Sequence, residues 1–120
     1  MVARILRPAS KLATTREFHN SSLGEELQVS DADEDELYDA LDWLLGRQKR
    51  IEKKLARRHL HQGGLAFYDV SSSYYEGHHC PLAKFGYNRD QKNHTPIIVY
   101  GVMTNQEGCP VSVQVYPGHT

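Results

Sequence analysis

The spacing of apolar residues changes at the glycine pair Gly63–Gly64, and this change limits the fold more than any other feature. Before the pair, Leu37, Leu41 and Leu44 recur at the spacing of one helix face. After it, apolar residues come in short runs or alternate with polar ones, which is typical of strands. Helices followed by strands within 120 residues, the size of one domain, predict an α+β fold.

Three helices are predicted before the glycine pair. A short one covers Lys11–Phe18, and a longer one runs from about Asp33 to Leu45. Ser30 is the expected N-cap of the longer helix, with Asp33 in the reciprocal capping role. Acidic residues crowd the first turn of this helix, where the helix dipole favours negative charge. The third helix is predicted from about Arg47 to Leu60.

Three strands are predicted after the pair. Leu65–Val70 is rich in aromatic and branched residues, and Pro96–Thr104 is the strongest strand pattern in the chain. The polar stretch Ser71–Thr95 is expected to be a long connection between them. Asn105–Gly108 predicts a hairpin loop, and Val111–Val115 alternates apolar with polar residues. The strands are therefore expected to form a three-stranded antiparallel meander.

Charge is unevenly distributed, although the net formal charge is only −1. Residues 1–46 hold 4 basic and 10 acidic residues, whereas residues 47–60 hold 7 basic and 1 acidic residue. The composition excludes a collagen or a mucin-like stalk. No apolar run is long enough to span a bilayer, and the N-terminus lacks the apolar core of a secretory signal. We therefore expect a soluble cytoplasmic protein with no membrane partner.

Asp69 is the sharpest candidate for chemistry. Its predicted place is the end of an apolar strand, on the same face as Leu65 and Phe67. One interpretation is a ligand of a hard cation such as Mg²⁺, which prefers carboxylate oxygens. The other is a carboxylate that caps the turn after the strand, and position alone favours this second interpretation.

The third helix carries a dense set of basic side chains. One interpretation is binding to the phosphate backbone of DNA, which depends on clustered Lys and Arg. The other is a solvated face that pairs with the acidic helix before it. The residues are Arg47, Lys49, Arg50, Lys53, Lys54, Arg57 and Arg58.

The chain contains histidines and cysteines, which are the residue types that bind zinc, but their spacing matches no compact zinc motif. They are His78, His79, Cys80, His94, Cys109 and His119.

Several sequence blocks resemble DDE-type insertion-sequence transposases, whose catalytic domain is RNase H-like. The first block is Tyr68-Asp69-Val70-Ser71-Ser72-Ser73-Tyr74-Tyr75-Glu76-Gly77. Further blocks are Cys80-Pro81-Leu82, Phe85-Gly86-Tyr87-Asn88-Arg89-Asp90, Pro96–Gly101, Glu107–Pro110 and Val115–Thr120, with Leu37–Leu44 and Arg4–Leu12 upstream. The resemblance therefore covers nearly the whole chain.

The resemblance implies that Asp69 is the first carboxylate of an Asp-Asp-Glu triad that holds two Mg²⁺ ions. Residues 63–120 would be part of the RNase H-like catalytic domain, and residues 1–62 a helical N-terminal region that is a candidate for DNA binding. Neither the second Asp nor the Glu of the triad has a candidate, since Asp90 and Glu107 lie in predicted loops.

We therefore expect a transposase fragment that is inactive alone, in the bacterial cytoplasm or at the nucleoid when bound to DNA. In the family, the first strand is central and pairs with a strand beyond these three. Its edge would be bare here, which predicts marginal stability and association with itself or with intact transposase subunits.

Overall fold

The structure is a computed structural model that describes residues 1–87 and 94–120. Within these residues it has five helices and one three-stranded antiparallel sheet, so the predicted α+β class is confirmed. The helices are α1 (Val2–Leu6), α2 (Lys11–Asn20), α3 (Leu23–Glu26), α4 (Glu34–Leu45) and α5 (Gln48–His59). The strands are β1 (Phe67–Tyr74), β2 (Ile97–Thr104) and β3 (Pro110–Pro117).

Two compact units divide the chain, Met1–Gln48 and Lys49–Thr120. The first contains α1 to α4, and the second contains nearly all of α5 together with the sheet. The division of roles between residues 1–62 and 63–120 stays a prediction. None of the described helices is long and apolar enough to cross a bilayer.

In the first unit, the caps decide where the helices begin. The N–H of Ala13 donates to Ser10 Oγ at 3.2 Å at the start of α2. The cap of α4 is Asp33, whose Oδ1 accepts from the N–H of Glu36 at 2.9 Å. The prediction of Ser30 as the cap was wrong, because the Ala32 N–H bonds the Val29 carbonyl and forms a turn before the helix.

In the second unit, two side-chain contacts hold α5 against the sheet. Glu52 Oε1 accepts from the backbone N–H of Val113 on β3 at 3.0 Å. Asn105 in the β2–β3 hairpin donates from Nδ2 to the carbonyl of His59 at 3.3 Å. One contact lies near the middle of α5 and the other at its C-terminal end, so together they hold the helix beside the β3 edge and the hairpin.

The first strand is longer than predicted. It continues from Val70 through three serines to Tyr74, within the stretch expected to be a connection. Serine has little intrinsic preference for strands, but Ser71 lies opposite Tyr100 and Ser73 opposite Ile98 in the β1–β2 ladder. Pairing with the strongly patterned β2 therefore outweighs the local preference of the serines.

A short segment after β1 closes one end of the sheet. Lys84 and Ile97 exchange two backbone hydrogen bonds, at 2.8 and 3.0 Å. The N–H of Gly118, just after β3, donates to the carbonyl of Leu82 at 2.9 Å. A Cβ on Gly86 would overlap the carbonyl of Gly118, so the close approach of these backbones needs glycine. Asn88-Arg89-Asp90 of the resemblance lie outside the described residues.

The cores of both units are small. The buried apolar side chains of the described residues are Phe18 in the first unit and Ile97, Val99 and Val111 in the second. By contrast, every residue of β1 is exposed. The first strand thus forms part of the sheet by its backbone bonds far more than by burial.

Candidate functional site

Asp69 is the third residue of an eight-residue strand, not the last residue of a short one. It lies opposite Val102 of β2, which in turn lies opposite Val113 of β3. The alternative that Asp69 caps a turn after the strand is therefore wrong, because the strand runs five residues further. Its side chain is exposed and shares a sheet face with Phe67 and Ser71.

Beside Asp69 on that face is a small hydroxyl cluster formed by Ser71, Ser73 and Tyr100. Ser73 Oγ donates to the Tyr100 hydroxyl oxygen at 3.4 Å. Hydrogen bonds from Ser73 and then from Ser71 lower the pKa of Tyr100 below its ordinary value of 10.0, because they stabilise the ionised phenolate. The two serines therefore bind the Tyr100 hydroxyl on this face of the sheet and do not form a turn.

The opposite face carries a tyrosine pair that spans the sheet. The hydroxyls of Tyr68 on β1 and Tyr116 on β3 are 2.9 Å apart. The hydrogen bond to Tyr116 raises the pKa of Tyr68 above 10.0. A Cβ on Gly101, in the strand between them, would overlap the Tyr68 hydroxyl. The absence of a side chain at Gly101 therefore allows the Tyr68 ring to lie across β2.

Asp69 supplies one carboxylate as a possible ligand for a metal ion. Its exposed oxygens are the donor type that Mg²⁺ prefers. Within residues 1–87 and 94–120, however, no three or more His, Cys, Asp or Glu side chains come together as a metal-binding group. Cys80 and Cys109 are free, partly exposed thiols. Binding of Mg²⁺ stays a prediction, and Asp90 lies outside the described residues.

The basic side chains of α5 occupy one side of the helix. Successive residues turn by about 100°, so the six cations cover about half of the helix circumference. All six are exposed, whereas Ile51 and Leu55 on the other side are half-buried. The six are Lys49, Arg50, Lys53, Lys54, Arg57 and Arg58.

Arg47 is set apart from these six. It follows α4 in the first unit, and its guanidinium lies 3.9 Å from the centre of the Trp43 ring. It also donates to the carbonyl of Trp43 at 3.1 Å, at the C-terminal end of α4. Arg47 therefore has a structural role as a cation over an aromatic ring and at a helix C-terminus.

The six cations on α5 have no salt-bridge partner among the described residues of their own unit. No described carboxylate of that unit neutralises their charge, and both interpretations of the basic helix stay open. Arg58 also lines a cleft of about 140 Å³ with His61 and Asn105, where the end of α5 meets the hairpin.

Comparisons with family models, with curated proteins and with solved structures each give no match to this chain.

Sequence reasoning missed the two tyrosine arrangements on the sheet. Tyr68 and Tyr116 are 48 residues apart, and Ser73 and Tyr100 are 27 apart, so only the strand register brings each pair together. One usable signal was present. Gly101 interrupts an otherwise apolar strand, and an isolated glycine in a strand often marks the close approach of another group.

Proposed function

We propose that this chain carries the opening part of an RNase H-like catalytic domain of a DDE-type transposase, with Asp69 as the first metal-binding carboxylate. The observation that carries the proposal is the position of Asp69 on the first strand of a three-stranded antiparallel meander, at the sheet edge. The resembling family places its first acid on the first strand, and that strand pairs with a later one on its other side.

The chemistry of this function would come from two Mg²⁺ ions held by three acids. Ions held at such a site would supply activation of a water or DNA 3′-hydroxyl and stabilisation of the leaving oxygen. Asp69 contributes one exposed carboxylate to that set. We expect no DNA cleavage or strand transfer by these 120 residues alone, because one carboxylate does not hold two metal ions. The proposed place of action is DNA at the bacterial nucleoid.

Metal binding at Asp69 is testable by paramagnetic broadening with Mn²⁺ as the probe. In an NMR titration, we expect the earliest broadening at the amides of Val70 and Val102, next to and opposite Asp69. Asp69→Asn should remove this broadening, whereas Glu107→Gln, an exposed carboxylate in the hairpin, should leave it unchanged. Equal broadening in the wild type and Asp69→Asn would refute the role of Asp69.

A cleavage assay tests the other half of the proposal. A supercoiled plasmid incubated with the chain and Mg²⁺ should stay intact. Nicking that requires Mg²⁺ and disappears in Asp69→Ala would show that one carboxylate suffices here and would overturn the expected inactivity.

A second candidate function is DNA binding by α5 without catalysis. The observation in its favour is the half-cylinder of six exposed cations. If all six contact phosphates, the slope of log K against log salt concentration is about −5, because each contact contributes about −0.9.

Neutralising four of these cations tests the DNA-binding function. The variant Lys53→Gln, Lys54→Gln, Arg57→Gln and Arg58→Gln should make the slope less negative by about 3 to 4. Replacing the four basic residues of the first 46 with glutamine removes the same charge as a matched control; they are Arg4, Arg7, Lys11 and Arg16. Equal losses of affinity in the two variants would contradict a role specific to α5.

A further inference from the structure

The two edges of the sheet differ in whether their outward backbone groups have hydrogen-bond partners among the described residues. On the β3 edge, the Glu52 carboxylate of α5 takes the outward N–H of Val113. On the β1 edge, the backbone groups of Tyr68, Val70 and Ser72 have no hydrogen-bond partner among the described residues. Natural edge strands are commonly protected by charged side chains, above all Lys, by Pro or by a bulge. Phe67–Tyr74 has no Lys, Pro or bulge, and its one charged side chain is Asp69.

The register fixes which backbone groups of β1 point outward. The N–H of Tyr75 donates to the carbonyl of Pro96, so odd-numbered residues of this strand direct their N–H and C=O groups toward β2. The even-numbered residues Tyr68, Val70 and Ser72 therefore direct theirs away from the sheet. These groups need a partner strand whose outward groups follow the same alternation.

We infer that the β1 edge binds the β1 edge of a second copy of this chain, in an antiparallel pair centred on Ser71. The strand is close to symmetric about this residue: Tyr68 and Tyr74 flank it at three residues, and Val70 and Ser72 at one. Val70 would exchange two backbone hydrogen bonds with Ser72 of the partner, and Tyr68 would face the partner's Tyr74. The result is one continuous six-stranded sheet.

The charge and the pleat together favour this register. A shift by one residue would pair even-numbered with odd-numbered residues and break both the hydrogen bonds and the match of sheet faces. A pair centred on Asp69 would place two carboxylates directly opposite, which is destabilising. Centring on Ser71 places Asp69 opposite the neutral Ser73 of the partner and overlaps nearly the whole strand.

The register makes a sharp prediction for disulfide cross-linking. Ser71 would face its own symmetry mate in a non-hydrogen-bonded pair, with Cα atoms about 4.5 Å apart, inside the range for a disulfide. In a background with Cys80→Ser and Cys109→Ser, Ser71→Cys should oxidise to a covalent dimer. Ser73→Cys should not, because its symmetry mate would lie four residues along the strand, roughly 13 Å away.

A backbone substitution tests the hydrogen bonds of the interface. Ser72→Pro removes an outward N–H from each chain and leaves the N–H groups that face β2 in place. We expect sedimentation equilibrium to show a wild-type dimer and a dissociation constant about 10- to 100-fold higher for Ser72→Pro. Ser72→Ala keeps the N–H and should dimerise as the wild type does, and circular dichroism checks that all three are folded.

Two results would overturn the inference. One is a wild-type chain that stays monomeric at high micromolar concentration. The other is a dimer that Ser72→Pro does not weaken and that Ser71→Cys does not cross-link, since association would then use another surface. These assays contain no DNA or metal, so a failure here is distinguishable from a failure of metal binding at Asp69. In the intact domain of the proposed function a later strand would take the place of the second copy at this edge.

Discussion

Gly118→Ala is a substitution for which the structure predicts a large loss of stability. Gly118 is buried after β3, and a Cβ there would overlap the carbonyl oxygens of Ile97 and Lys84. These are the same two carbonyls that accept the hydrogen bonds of the Lys84–Ile97 bridge. Both obstacles are backbone atoms, so a change of side-chain rotamer does not relieve the overlap.

The magnitude follows from what must move. Either the bridge opens or the Gly118–Leu82 hydrogen bond breaks, which costs one or two backbone bonds at about 1 kcal/mol each. Overpacking adds about 1–3 kcal/mol. The lower chain entropy of alanine in the unfolded state returns about 0.4–1 kcal/mol. Together these terms predict that Gly118→Ala lowers the free energy of unfolding by about 1–5 kcal/mol, with a central value of about 3 kcal/mol.

This loss is measured by urea denaturation monitored by far-ultraviolet circular dichroism. Fluorescence of Trp43, monitored in the same titration, follows unfolding of the first unit. Gly108→Ala is the matched control in the same unit. Gly108 has φ of 82° and open space around its missing Cβ, so alanine there should cost only about 1 kcal/mol of backbone strain. If Gly118→Ala costs no more than Gly108→Ala, the segment around Lys84 is not held against the sheet.

Three further predictions concern caps, charge and pH. Asp33→Ala should destabilise α4 by about 1 kcal/mol, measured by urea denaturation, through loss of the cap. Asp69→Thr should raise the free energy of unfolding by up to about 1 kcal/mol, because Asp is disfavoured in strands, and a loss would reveal a structural role. In a spectrophotometric tyrosine titration, Tyr100→Phe should remove an ionisation with a pKa below 10, and Tyr116→Phe should lower the pKa of Tyr68. Because its pKa is lower in the folded state, Tyr100 increases the free energy of unfolding as pH rises through that pKa. The pKa of Tyr68 is raised in the folded state, so its stabilising effect is full below pH 10 and is lost above it.

The three longer helices were predictable because their signals are local, whereas the short helices α1 and α3 were not predicted. The bounds of α4 and α5 lie within one residue of the predicted ranges, since spacing of apolar residues and caps act within one or two turns. The choice between Ser30 and Asp33 failed for the same reason: both are good caps, and the turn that decides between them is not visible in a residue pattern.

The extent of β1 could not be predicted, because it depends on a partner strand more than 20 residues away. Ser71 to Ser73 read locally as a turn, and only their pairing with β2 makes them extended. The same long-range register creates the hydroxyl cluster at Tyr100 and the pair of Tyr68 with Tyr116. Residue identity therefore indicated Asp69 as a candidate, whereas its surroundings required the fold.

Residues within the sequence blocks that resemble transposases have different physical roles in the structure. Gly86 and Gly118 allow backbones to approach, and Gly101 admits the ring of Tyr68. Such residues are explained by the fold alone and carry no information about catalysis. Asp69 is different: it is a charged, exposed residue in mid-strand, and its side chain has no hydrogen bond or salt bridge among the described residues. Strands disfavour Asp, and the described residues offer this carboxylate no partner, so metal binding at Asp69 is the first hypothesis to test.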